Sequence, residues 1–100
     1  MRTLLILFPA VLILTGCVGR PPADASGVEI YEQVCSNCHG SDLSGGIGPS
    51  LDAGSNSSTE DDAFLELTIT RGRGRMPSFQ STLSEEQIER VIDFIRDQQR

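Results

Sequence analysis

The sequence predicts a small all-α domain, and two observations support this fold class. Three segments of the chain carry apolar residues at helical spacing, and two of them follow residues that favour helix N-termini. Residues 40–58, which connect the first two segments, are rich in Gly and Ser and show no strand pattern. We therefore expect three main helices joined by irregular loops.

The first two helices are predicted from short apolar patterns. Residues 28–34 place their apolar side chains on one side of a helix. The second helix is expected to begin at Thr59, a good N-cap, because three acidic residues follow where the helix dipole favours negative charge. It is expected to end by Arg71, since Gly72 follows.

The third helix has the clearest pattern. Ser84 and Gln87 have the spacing of a capping box, in which each side chain bonds the backbone N–H of the other residue. The residues that follow form one apolar stripe at helical spacing: Ile88, Val91, Ile92, Phe94 and Ile95.

Residues 1–16 have the pattern of an export signal. A charged start, Met1-Arg2, precedes a largely apolar run, which ends in Leu14-Thr15-Gly16-Cys17. This ending resembles a bacterial lipobox, which implies cleavage before Cys17 and acylation of that cysteine. An uncleaved anchor would need about 20 apolar residues, and an ordinary cleavable signal would leave the third cysteine unexplained. We expect an exported protein, anchored by lipid to the outer face of a bacterial membrane.

The rest of the chain divides into a tether and a single domain. Residues 17–26 are small, polar and interrupted by Pro21-Pro22, as in a linker, and residues 27–100 form the domain. Without residues 1–16 the chain keeps seven arginines against 14 acidic residues, a net charge of −7. This balance favours protein partners with a basic docking patch and excludes nucleic acid. We expect a monomer.

Cys35-Ser36-Asn37-Cys38-His39 has the C-x-x-C-H spacing of covalent haem attachment. Thiols three residues apart can form thioethers with the two vinyl groups of one haem, and the following histidine is placed beneath the iron. The motif therefore predicts one covalently bound haem c, with Cys35 and Cys38 as attachment points and His39 as an axial ligand of the iron.

Two other uses of a C-x-x-C pair fit the sequence less well. A structural zinc site needs four ligands, but His39 is the only histidine and Cys17 the only other cysteine, so a carboxylate would have to complete the set. A thioredoxin-like dithiol follows a βαβ pattern, which this sequence lacks.

With the motif and helices in place, the chain resembles a small class I cytochrome c over nearly all of residues 27–100. The resemblance includes Gly27 and Tyr31, eight and four residues before Cys35, which in that family pack against the C-terminal helix. It also includes Gly48-Pro49-Ser50-Leu51. It implies that the Pro49 carbonyl accepts the His39 Nδ1–H and orients the imidazole.

The second axial ligand follows by elimination. The chain has no second histidine and no lysine, and Met76 is the only methionine left after removal of the export signal. A lone methionine is usually a core residue, but Met76-Pro77 matches the ligand loop of the family. We therefore expect Met76 to bind the iron. Arg71, Arg73 and Arg75 precede it, and they would pair with haem propionates, form a docking island or be merely solvated.

These features predict a membrane-tethered, single-haem electron carrier and not an enzyme, because iron with two protein ligands has no open position for substrate. Two alternatives remain open. One is a haem-bearing subunit of a larger oxidase or dehydrogenase complex. The other is a ligand-binding haem sensor or peroxidase, in which Met76 leaves the iron or never binds it.

Overall fold

The structure of the protein is a computed structural model that describes residues 19–100. Within this range it contains three main helices joined by loops and no β-strand, which confirms the all-α prediction. None of the helices in the described part of the chain is long and apolar enough to cross a membrane. The predicted export signal and Cys17 lie outside the described residues.

The first helix, α1, consists of three consecutive stretches: Gly27–Ile30, a π-helical turn at Tyr31–Cys35, and Ser36–His39. Ser26 caps it, because its hydroxyl accepts the N–H of Glu29 and the Glu29 carboxylate accepts the N–H of Ser26. The helix is longer than predicted and contains the whole C-x-x-C-H motif. It ends where Gly40 adopts φ +85°, a conformation that favours glycine.

The second helix, α2, spans Asp62–Arg71. The expectation that Thr59 caps it is wrong, because Asp61 is the N-cap and its carboxylate accepts the N–H of Phe64 at 2.8 Å. Thr59 instead ends a 3₁₀ turn, Asn56–Thr59, where its hydroxyl donates to the Asn56 carbonyl. Helix α2 ends where predicted, at Arg71 before Gly72.

The third helix, α3, spans Glu85–Gln99. The capping box predicted from Ser84 and Gln87 is present, with both reciprocal hydrogen bonds formed. Its apolar stripe is buried as expected, except for Phe94, which is half-buried against the core. The hydrophobic core consists of Ala25, Ile30, Tyr31, Cys35, Leu43, Leu65, Ile69, Leu83, Ile88, Val91, Ile92 and Ile95.

Helices α1 and α3 cross in close contact at Gly27. A Cβ at this position would overlap the Arg90 carbonyl and lie 3.0 Å from the Cβ of Phe94. One turn further along α1, the Tyr31 ring packs 5.3 Å from the Phe94 ring, centroid to centroid. The packing of Gly27 and Tyr31 against the C-terminal helix, implied by the resemblance, is present.

Residues 19–26 lie against the domain, whereas their composition led us to expect a tether. Pro21 is buried, and Ala25 is only 2% exposed. The side chain of Gln87 donates hydrogen bonds to the carbonyls of Pro21 and Pro22, and Arg90 donates to those of Ala23 and Ala25. These contacts hold the segment in place although its sequence is typical of a linker.

Candidate functional site

The last two turns of α1 carry the cysteines and the histidine of the C-x-x-C-H motif. Cys35 is buried in the π-helical turn, Cys38 is half-buried, and both thiols are free. His39 ends the helix and is only 7% exposed. Short π-helical segments occur frequently at functional sites. Here one ends at Cys35, the first of the two residues that the sequence assigns to haem attachment.

The imidazole of His39 is held in one tautomer. Its Nδ1 lies 2.8 Å from the carbonyl oxygen of Pro49, the two atoms that the resemblance pairs. Because a carbonyl can only accept, Nδ1 carries the proton and donates it, and Nε2 keeps a free lone pair. No described residue forms a hydrogen bond with Nε2, so this nitrogen can bind a metal ion.

A glycine loop brings Pro49 to the histidine. The N–H of Gly48 donates to the Cys38 carbonyl at 2.7 Å, and the N–H of Gly45 donates to the His39 carbonyl at 2.8 Å. A Cβ on residue 48 would lie 3.0 Å from Cε1 and 3.1 Å from Nδ1 of His39. The loop can therefore cover the imidazole this closely only because residue 48 has no side chain.

The electrostatics of the cysteines do not fit a redox dithiol. Burial, and to a smaller extent the charge of Cys38, raises the pKa of Cys35 to about 12. Reactive thiols in dithiol enzymes have lowered pKa values, because the thiolate is the nucleophile. A zinc site is not supported either, since no three metal-binding side chains converge anywhere in residues 19–100.

Tyr31 fastens the end of the motif to the core of the domain. Its hydroxyl donates to the Gly40 carbonyl at 2.6 Å, directly after His39. Burial, and to a smaller extent the charges of Cys35 and Asp42, raises the pKa of Tyr31 to about 12. The hydroxyl therefore remains a donor. Asp42 follows in the loop, and hydrogen bonds from the hydroxyl and N–H of Ser44 lower the pKa of its carboxyl group.

Met76 lies in a tight turn at the end of α2. Arg73 and Met76 exchange two backbone hydrogen bonds, of 3.1 and 2.9 Å, and the Met76 side chain is half-buried against the core cluster that contains Cys35. A Cβ at Gly72 would lie only 2.5 Å from the Met76 carbonyl oxygen. After Met76, the Phe79 N–H donates to the Ile69 carbonyl, which fastens the segment to α2.

The three arginines of this loop, Arg71, Arg73 and Arg75, are exposed. The Arg73 guanidinium lies 5.5 Å from the centroid of the Phe64 ring, a cation–π distance. None of the three forms an ion pair with another described residue. Their positive charge is therefore concentrated on the Met76 loop of an otherwise acidic domain.

Sequence reasoning missed the polar residues that tie the loops and the N-terminal segment to the helices. Arg96 of α3 forms an ion pair with Asp62 at 2.7 Å and donates to the carbonyls of Ser57 and Glu60, which holds the loop before α2. Gln87 and Arg90 hold residues 21–25. Partners this far apart along the chain leave no local sequence signal, so helix periodicity alone could not reveal them.

Comparison with known families agrees with this arrangement. The model of the family described as "Cytochrome C oxidase, cbb3-type, subunit III" matches residues 22–95, most of the chain. The chain belongs to this family of c-type cytochromes. Membership implies haem c as the cofactor, and the c-type cytochromes related to this chain are typically exported.

Two curated relatives are c-type cytochromes. "Cytochrome c55X" of Stutzerimonas stutzeri is 30% identical over 90 residues, which cover 88% of this chain and 76% of that protein. "Cytochrome c-551" of Bacillus subtilis (strain 168) is 42% identical over 53 residues, 53% of this chain. The match spans 46% of the Bacillus protein, so it covers less than half of that relative.

Solved structures share the fold. The "c-type cytochrome NirC" aligns with a TM-score of 0.63 and 27% identity, covering 71% of this chain and 85% of that one. The "Dihydro-heme d1 dehydrogenase NirN in complex with DHE" aligns with a TM-score of 0.65 and 30% identity over 72% of this chain, but over only 16% of the NirN chain.

The residues of the site fit the haem that the family implies. Two free thiols lie three residues apart on one helix, followed by an imidazole whose Nδ1 is occupied and whose Nε2 is available. Cys35 and the thioether side chain of Met76 both border the same apolar cluster, a suitable surrounding for a porphyrin. The donor set therefore provides two attachment points, an imidazole and a thioether.

Proposed function

We propose that the chain is a membrane-tethered electron carrier with a single covalent haem, which passes one electron between respiratory or periplasmic redox partners. One observation carries the proposal: the buried His39 imidazole, which directly follows two free cysteines, is fixed by the Pro49 carbonyl so that only Nε2 can bind iron. This arrangement suits a permanent ligand better than a group that must move during turnover.

Each residue of the site has a distinct part in this proposal. The Cys35 and Cys38 thiols hold the haem covalently, and Pro49 orients the imidazole and raises its basicity. When bound, the haem supplies one-electron chemistry at iron. The Met76 thioether completes the ligand set and favours the reduced state relative to a second histidine. The tight turn from Arg73 to Met76 limits the freedom of this side chain.

The charge distribution supports protein partners with a basic patch. The exposed carboxylates of Asp62, Glu66, Glu89 and Asp93 line a shallow cleft between α2 and α3. A partner with clustered Lys and Arg would be attracted to this surface. The exposed arginines of the Met76 loop would pair with haem propionates or contact acidic groups of the partner.

The anchor belongs to the proposal and depends on Cys17. We expect acylated Cys17 to keep the protein on the outer face of a bacterial membrane. Cys17→Ser should release haem-loaded protein from the membrane fraction, whereas protein that stays in the membrane fraction with residues 1–16 removed would exclude a lipid anchor at this residue.

Substitution of the cysteines tests haem attachment and the lipid anchor separately. In Cys35→Ala with Cys38→Ala, extraction with acidified acetone should remove all haem, while the protein stays in the membrane fraction. Cys17→Ser should show the opposite result, with retained covalent haem and a soluble protein. Haem that resists extraction from the double variant would overturn the assignment of the attachment site.

A second function is favoured by the family description, which names a subunit of an oxidase. In this alternative the chain is a haem-bearing subunit of a larger oxidase or dehydrogenase complex and not a mobile carrier. Purification from membranes in mild detergent separates the two. A mobile carrier elutes as a small species, whereas a subunit elutes with its large partners in fixed proportion.

A further inference from the structure

The side chain of Gln87 binds two segments of the chain at once. It is only 5% exposed, its Oε1 accepts the N–H of Ser84 at 2.9 Å, and its Nε2 donates to the carbonyls of Pro21 and Pro22 at 3.3 and 3.0 Å. Both ends of the amide are therefore used. The oxygen caps α3, and the nitrogen holds Pro21 and Pro22, which precede Gln87 by 66 and 65 positions.

Arg90, one turn further along α3, adds a second attachment. Its guanidinium donates to the carbonyls of Ala23 and Ala25. Ala25 is 2% exposed and belongs to the hydrophobic core. Backbone carbonyls that accept from buried or half-buried side chains are costly to release, because their donors would lose these partners.

The N-terminal end of this segment lies beside α1. The Gly19 carbonyl accepts from Nε2 of Gln33 at 2.7 Å, and Gln33 is an exposed residue two positions before Cys35. Two residues of extended chain span at most about 7 Å. A lipid on Cys17, two residues before Gly19 in the sequence, would therefore be joined to the domain by no more than this length of chain.

We propose that residues 19–26 form a strap that fixes the exit of the chain beside Gln33, so that the exposed side of α1 rests on the surface of the bilayer. The proposal depends on the lipid anchor at Cys17 that is part of the proposed function. A free linker of nine residues would let the domain swing over about 15–18 Å. With the strap docked, the bilayer meets one face of the protein, and the haem-attachment helix has a fixed orientation.

Gln87→Glu with Arg90→Ala breaks the strap and spares the cap of α3. A glutamate at position 87 still accepts the Ser84 N–H, as in other capping boxes, but it has no N–H to donate to Pro21 and Pro22. The matched control is Gln98→Glu with Arg100→Ala, which makes the same changes of charge at exposed residues near the end of α3. The single variant Gln87→Glu serves if the double variant does not fold.

The first measurement is hydrogen exchange of peptides that cover residues 19–26 in the haem-loaded protein. In the strap variant, the buried Ala25 N–H, which donates to the Pro22 carbonyl, should exchange faster by on the order of tenfold, because loss of the hydrogen bonds to the strap's carbonyls lets the segment open and exposes this N–H. The control variant should exchange like the parent. Equal exchange in the parent and the strap variant would overturn the docked strap.

The second measurement uses the acylated protein in phosphatidylcholine vesicles. Glu32→Cys places a thiol next to Gln33, and haem attachment and acylation occupy the three native cysteines. A bulky, membrane-impermeant maleimide should react several-fold more slowly with this thiol on vesicles than in the soluble Cys17→Ser protein. Breaking the strap should remove the difference, and the Gln98→Glu with Arg100→Ala change should preserve it.

Mass spectrometry of the vesicle sample distinguishes the ways in which the proposal can fail. Protein without acyl groups on Cys17 would overturn both the anchor and the membrane role of the strap. Acylated protein that remains on vesicles but reacts equally fast in the parent and the strap variant would overturn the strap proposal alone.

Discussion

Replacement of Gly48 by alanine should push the His39 ring away from the Pro49 carbonyl. The new Cβ would lie 3.0 Å from Cε1 and 3.1 Å from Nδ1 of the imidazole. Carbon atoms prefer separations of about 3.5–4.0 Å, so the ring or the loop must move. Gly48 does not have a positive φ, and the effect is therefore steric and not a matter of backbone strain.

The expected loss of stability can be worked out from these contacts. Overpacking against a buried group such as the His39 ring costs roughly 1–3 kcal/mol. A weakened hydrogen bond between His39 and Pro49 adds about 0.5–1.5 kcal/mol. Alanine recovers about 0.4–1 kcal/mol by restricting the unfolded chain. The free energy of unfolding should therefore fall by about 0.5–4 kcal/mol, and each kcal/mol lowers Tm by about 4–8 °C in a domain of this size.

Gly46→Ala is the matched control, because it changes the same loop without touching the histidine. A Cβ at Gly46 would meet only the Cys38 carbonyl, at 3.4 Å, an ordinary contact. Thermal unfolding of the haem-loaded proteins, followed by circular dichroism, should show Gly46→Ala at or above the parent Tm and Gly48→Ala below it. Equal melting temperatures for the two variants would refute the close packing of residue 48 on the imidazole.

Three further predictions concern the core, the pH dependence and the surface. Gly27→Ala should lower the free energy of unfolding by about 1–3 kcal/mol, because its Cβ overlaps the Arg90 carbonyl; urea unfolding with an unchanged midpoint would count against the close helix crossing. Tyr31→Phe should cost about 1 kcal/mol through loss of the bond to Gly40. Because burial raises the Tyr31 pKa to about 12 from the ordinary 10.0, its contribution is complete below pH 10 and is lost as the pH rises towards 12. Between pH 10 and pH 12 the free energy of unfolding of the Phe variant should therefore fall less than that of the parent. Parallel pH dependence of the two proteins would contradict a buried, hydrogen-bonded Tyr31 hydroxyl. Finally, stopped-flow electron exchange with the physiological partner should slow as ionic strength rises, and a constant rate would exclude electrostatic docking.

The features that were predicted from sequence are those with local signals. The Ser84–Gln87 capping box located the start of α3, and Gly72 located the end of α2, because each acts on backbone groups within one turn. The start of α2 was misplaced because Thr59 and Asp61 are both good N-caps. Only the structure shows that the Thr59 hydroxyl is used in a 3₁₀ turn.

The length of α1 and the docking of residues 19–26 were not predictable in the same way. The polar residues between the cysteines interrupt the apolar pattern, so helical spacing does not predict that α1 extends to His39. The segment around Pro21-Pro22 has the composition of a linker. It is held by Gln87 and Arg90, which are more than 60 positions away, and such long-range hydrogen bonds have no periodic signature.

At the site, the motif identified Cys35, Cys38 and His39, and the family resemblance paired His39 with Pro49. The glycine contacts were not foreseen. Gly48 and Gly72 permit close approach to His39 and to the Met76 turn, and the need for a missing side chain appears only once the loops are in place. The roles of these residues towards the haem remain predictions for experiment.

The central claim is that the iron is bound by His39 and Met76, and one measurement tests it most directly. The visible spectrum of the oxidised, haem-loaded protein should contain the weak far-red band of a sulfur–iron bond. The band should disappear in Met76→Leu, which conserves the side-chain volume. A parent protein without this band and with a high-spin spectrum would have an open iron position, which would contradict the electron-carrier account and favour a ligand-binding haem protein.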